Sequence, residues 1–126
     1  MKLFILLSLM TTIVMSASDC NSKKTASATT KYKGKLEVAG MCMNYTIKVV
    51  EGNIDTSLIV SNWHDEDANK HHTNVFRLKN PCDFPSTIKE GDEFYFTIDS
   101  SSTKQCAVCM AFYPTPSKAI QIRVEQ

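Results

Sequence analysis

A surplus of charge of one sign is missing from this chain: 14 Lys and Arg stand against 13 Asp and Glu, a formal net charge of +1 over 126 residues. Nucleic-acid binders usually carry a basic excess, so no nucleic acid is expected as a partner. Glycine and proline are scarce, at 4 each, while hydrophobic residues reach 43%. That balance excludes a collagen-like fibre and a disordered chain. The glycines are scattered at Gly34, Gly40, Gly52 and Gly91, so no glycine-rich loop exists to cradle a phosphate. No serine sits in a nucleophile elbow or other spaced signature. No catalytic residue is therefore assigned, and the chain reads as a non-enzyme. Beyond the N-terminal segment, no helical apolar stripe lasts three turns.

What is present begins with a targeting segment. Lys2 precedes an apolar run over 3–15, broken only by Ser8, Thr11 and Thr12, and Ser16-Ala17-Ser18 supplies small side chains for cleavage. The run is too short to cross about 30 Å of hydrocarbon. Residues 1–18 are thus expected to be a signal peptide, and their removal takes Lys2 and leaves no net charge. Residues 19–30, DCNSKKTASATT, read as a polar tether. The folded domain is expected over 31–126, small enough to benefit from a covalent staple. The expected location is the periplasm or the membrane-anchored cell envelope, or otherwise the secreted fraction. Cys20 is the candidate for lipidation and the one expected route to a membrane. Its position after the apolar run favours that, whereas Asp19 directly before it is a poor match to a lipidation site.

Period-two alternation recurs along 31–126. Leu36 and Val38 share a face, as do Tyr45, Ile47 and Val49, and Phe76 and Leu78. Phe94, Phe96 and Ile98 alternate with Glu93, Tyr95 and Thr97, and Ile120, Ile122 and Val124 with Gln121, Arg123 and Glu125. The inward members form the expected core. The run 106–113 is continuously apolar, as expected of a strand covered on both sides. Turn residues fall between runs at Gly40, Gly52-Asn53, Asn80-Pro81 and Pro114-Thr115-Pro116. One short helical turn, capped by Ser86, is expected over 83–89. The fold class is all-β: a five- to six-stranded antiparallel barrel, OB-like, with a two-sheet β-sandwich as the alternative.

The segments NPCDFPSTIKEGDEFYFTI (80–98) and CAVCMAFYPTPS (106–117) resemble those of small uncharacterised exported bacterial β-domain proteins. That resemblance implies export and a compact β-domain, and it brings no activity.

Cysteines carry the strongest chemical signal. Cys42, Cys82, Cys106 and Cys109 lie in the domain, an even set that an oxidising compartment pairs in one of three connectivities. If strands at 33–38, 45–50 and 75–79 form a meander, Cys42 and Cys82 lie at the same end of the sheet. In a regular strand Cys106 and Cys109 face opposite sides, so each seeks Cys42 or Cys82 unless a bulge brings them together. A thiol-disulfide centre at Cys106 and Cys109 is the weak enzymatic alternative, because CxxC alone is unspecific.

Metal chemistry is the second alternative. The same cysteines offer soft ligands for zinc or copper. The stretch 63–72, read as a solvated loop, adds His64, Asp65, His71 and His72. The leading expectation has no cofactor: an exported, non-enzymatic, disulfide-stapled binding or structural module serving an envelope ligand or protein. Its rival is a periplasmic metal-binding protein.

Overall fold

Tyr32, Gly34, Leu36 and Val38 are buried along the first strand while Lys31, Lys33, Lys35 and Glu37 are not, so period-two alternation sorts this segment into two faces. The computed structural model describes residues 29–101 and 103–126. The signal segment 1–18, Cys20 and nearly all of the tether lie outside the described residues. Seven strands follow: β1 (Lys31–Gly40), β2 (Asn44–Glu51), β3 (Val60–Asp65), β4 (Lys70–Leu78), β5 (Glu93–Ile98), β6 (Ala119–Ile120) and β7 (Ile122–Val124). Among the described residues there is no α-helix.

The strands form one sheet in the order β3-β4-β2-β1-β5-β7, and every neighbour on that path is antiparallel. β6 pairs parallel with β4, with Leu78 opposite Ile120. A break at Gln121 thus lets one C-terminal segment serve β4 through β6 and β5 through β7. The all-β, mainly antiparallel expectation holds. Among the described residues all strands belong to one sheet, whose ladder path does not itself close, although the C-terminal segment reaches both β4 and β5. It has seven strands because a hairpin adds β3 and because the run 119–125 divides at Gln121.

Phe96 is fully buried at the centre, its ring 5.5 Å from Tyr32 and 5.9 Å from Phe76. Gly34 makes that centre possible, since a Cβ there would lie 2.9 Å from the Phe96 ring. Of the expected core, Leu36, Val38, Ile47, Val49, Phe76, Leu78, Phe94, Phe96, Ile120 and Ile122 are buried, and Val124 is partly buried against them. Ile98 departs from its expected place and is 37% exposed. β1 starts opposite Thr97, so Ile98 has a strand neighbour on one side only, where it pairs with Ile122 of β7.

Three other expectations are corrected. Residues 63–72 are a hairpin, not a loop: β3 and β4 pair Trp63 with His72 and Asp65 with Lys70 around a four-residue turn. The helical turn falls at Pro81–Asp83, where proline presets the backbone, and not at 83–89. Ser86 instead lies in a turn closed by the Ile88 amide donating to Pro85. Finally, 106–113 forms no strand and is largely exposed.

Candidate functional site

The connection between β5 and β6 runs from residue 99 to 118, and its described residues form no helix or strand. Connections of that length in a compact domain usually carry function. Its cysteines set its course. Cys106 bonds Cys82, in the turn after β4, with Cα atoms 5.7 Å apart. Cys109 bonds Cys42, in the β1–β2 turn, at 5.0 Å. β1, β2 and β4 are the neighbouring strands of the sheet, so Cys42 and Cys82 do emerge together at one end. Cys106 and Cys109 each find a distant partner as expected, though in an irregular segment rather than a strand. They do not bond each other, so the CxxC forms no thiol-disulfide couple. Two such bridges suit an oxidising, extracellular-type environment.

Further contacts fix the same segment. The Lys104 amide donates to the Asp83 carboxylate at 3.2 Å. Asn44 Nδ2 donates to the carbonyls of Met41 at 2.8 Å and Ala111 at 3.5 Å, so this asparagine of an Asn-x-Thr acceptor sequence is occupied within the fold. Tyr113 packs against Gly40, where a Cβ would lie 2.6 Å from its ring. Its hydroxyl donates to Asp65 Oδ2 at 3.4 Å. Burial first, then the Asp65 carboxylate, raises the Tyr113 phenol above its ordinary value. The turn facing the segment is strained: Cys42 and Met43 both have φ of 59°, a left-handed conformation that costs non-glycine residues energy.

Within this frame the apolar side chains point outward. Met110 is 98% exposed, Phe112 87% and Val108 47%, and Met41 in the neighbouring turn is 59% exposed. A shallow hollow beside them is lined by Met43, Val108 and Met110 together with Arg77 and Lys79 of the β4 end. No Asp or Glu lines it.

Of the other candidate ligands, the structure brings His64 and His71 together and gives Asp65 and His72 other partners. His64 and His71 lie opposite each other across β3 and β4 with ring centroids 4.4 Å apart, both exposed. Asp65 is fully buried, and its Oδ1 accepts from the amides of Asp67 and Ala68 at 3.0 and 3.2 Å. It therefore shapes the hairpin turn. His72 is buried, stacks on Trp63 and donates from Nδ1 to Glu37 at 2.9 Å, since a carboxylate can only accept. The four cysteines are consumed in bridges and present no thiolates. Among the described residues, no group of three or more His, Cys, Asp and Glu is placed to hold a metal ion. No family model matches the chain, and neither a curated protein nor a solved structure matches it.

Sequence reasoning missed Met110 and Phe112 as exposed residues, because it took a continuous apolar run for a buried strand. The available signal was the cysteine spacing: two bridges to one end of the sheet hold 106–109 there, and Met110 and Phe112 follow directly. It also missed the Glu37–His72 pair, since Glu37 gains its position from a bulge in β1 opposite Ile47 and Thr46.

Proposed function

We propose that this chain is an exported, non-enzymatic binding module of the cell envelope that works through the apolar segment held out by its two bridges. The observation that carries this reading is the exposure of Val108, Met110 and Phe112 on a covalently fixed frame. A soluble domain gains about 1.5–3 kcal/mol for each such side chain it buries, so apolar residues displayed together mark a contact surface. Fixing them in advance lowers the ordering cost of binding. The two bridges suit a structural module equally, and the displayed apolar residues are what favour binding.

Retention on isolated cell envelopes tests it. The full-length exported protein carrying Cys20→Ser, which removes any lipid anchor, is expected to sediment with envelopes. Adding Met110→Ser and Phe112→Ser should release it while leaving its urea midpoint unchanged. Equal retention of both proteins refutes the assignment of binding to this segment.

A further inference from the structure

We infer that the surface this segment recognises is an anionic lipid bilayer: Met110 and Phe112 enter the boundary between headgroups and acyl chains while Arg77 and Lys79 meet the headgroup phosphates. This rests on the binding-module reading and names its partner.

Shape and charge both point to lipid. Even if each counted as a large aromatic of about 150–200 Å², Val108, Met110 and Phe112 would offer no more than about 600 Å² between them. A specific protein partner normally takes about 800 Å² from each side, more than these three side chains supply by themselves. A bilayer asks for no complementary concave face, and a few inserted apolar residues flanked by cations suffice for reversible attachment. The hollow beside the tip supplies those cations: Arg77 and Lys79 are exposed and share it with Val108 and Met110, with no carboxylate in its lining. The hollow around Asp83, Asp99, Lys104 and Arg123 has both signs and lacks this bias. Without Lys2 the exported chain has no net charge and so no long-range steering, and the attraction acts at contact, within a Debye length of about 8 Å at physiological salt. The bridges matter here because a loop free to fold back would bury Met110 and Phe112 against its own sheet.

Sedimentation of the full-length Cys20→Ser protein with phosphatidylcholine vesicles, with and without phosphatidylglycerol, tests the inference. Binding is expected to be much stronger when phosphatidylglycerol is present and to weaken as salt rises. Met110→Ser with Phe112→Ser should lower the partition coefficient at least ~10-fold per side chain. Arg77→Gln with Lys79→Gln should lower it about 5-fold per charge, and only on the anionic vesicles. Absence of vesicle binding, or binding indifferent to the tip residues, overturns the lipid assignment. A concentration-dependent dimer abolished by Phe112→Ser, without vesicle binding, overturns it in favour of a second copy. Tip-dependent retention on envelopes without vesicle binding overturns the lipid assignment alone, whereas loss of both removes the binding-module reading as well.

Discussion

Removing the outer bridge should cost this domain more than removing the inner one. Cys42–Cys109 spans 67 residues of sequence and Cys82–Cys106 spans 24, with the second nested inside the first. On the chain-entropy account, closing those loops in the unfolded chain is worth about 4.4 kcal/mol for the outer bridge and about 3.4 kcal/mol for the inner. Each is a large share of the roughly 5–15 kcal/mol that a domain of this size commands. Paired variants, Cys42→Ala with Cys109→Ala and Cys82→Ala with Cys106→Ala, avoid leaving a thiol that could reshuffle.

Equilibrium urea unfolding, followed by the fluorescence of Trp63, measures the difference. With a slope of about 1.5 kcal/mol per molar urea, the midpoint should fall by about 3 M for the outer pair and about 2.3 M for the inner. The slope should rise in both variants, because an uncrosslinked chain exposes more surface. If either pair costs less than about 1 kcal/mol, or the inner pair costs more than the outer, loop closure does not account for what the bridges contribute.

Two further perturbations probe the sheet. Phe96→Ala removes a fully buried ring that packs on Tyr32, Phe76 and Phe94, and should cost about 3–5 kcal/mol by thermal or urea unfolding. Phe112→Ala should stay within about 0.5 kcal/mol of wild type, and equal costs for the two would disprove the assigned register. Glu37 tests pH dependence: desolvation opposes its charged form, but hydrogen bonds from Lys35 and His72 outweigh that and hold its carboxyl below the ordinary range. Its contribution is therefore complete above about pH 4.3 and lost as pH falls through the lower folded value. Wild type and Glu37→Gln should differ in urea midpoint at pH 6 and converge in strong acid; a difference that persists undiminished there refutes the assignment.

Where the sequence was legible, one side of a strand was buried and the other was not. Phe94, Tyr95 and Phe96 alternate as expected because β5 is half-covered, and Leu36 opposite Ile47 follows from the same rule. Legibility failed where both faces of a pairing are polar. His64 and His71 are a directly opposed strand pair, yet among acids and a lysine they read as a solvated loop. The turn between those strands did carry a signal: Asp65 caps the following amides, and Asn69 takes a positive φ of 50°. Asn74, at φ 56° inside β4, then interrupts the alternation, so that His72, Val75 and Phe76 are all buried. A positive φ within a strand leaves no trace in a hydrophobic pattern.

The segment 106–113 failed for a different reason, and that reason bears on function. Apolar residues predict burial because burial is normally the state of lowest free energy. A chain can hold them in water only if something stronger prevents collapse, and here the restraints are covalent. Cys106 is pinned to the turn after β4 and Cys109 to the β1–β2 turn, while Tyr113 is seated on Gly40 and bonded to Asp65. Met110 and Phe112 lie in the short span between Cys109 and Tyr113, and both are exposed. The bridges thus have two effects with opposite signs: they destabilise the unfolded chain, and they forgo the burial of Met110 and Phe112, worth about 1.5–3 kcal/mol for each side chain. A staple serving stability alone would sit where the apolar residues could still be buried. Placing it where they stay exposed is the arrangement that the proposed lipid contact uses.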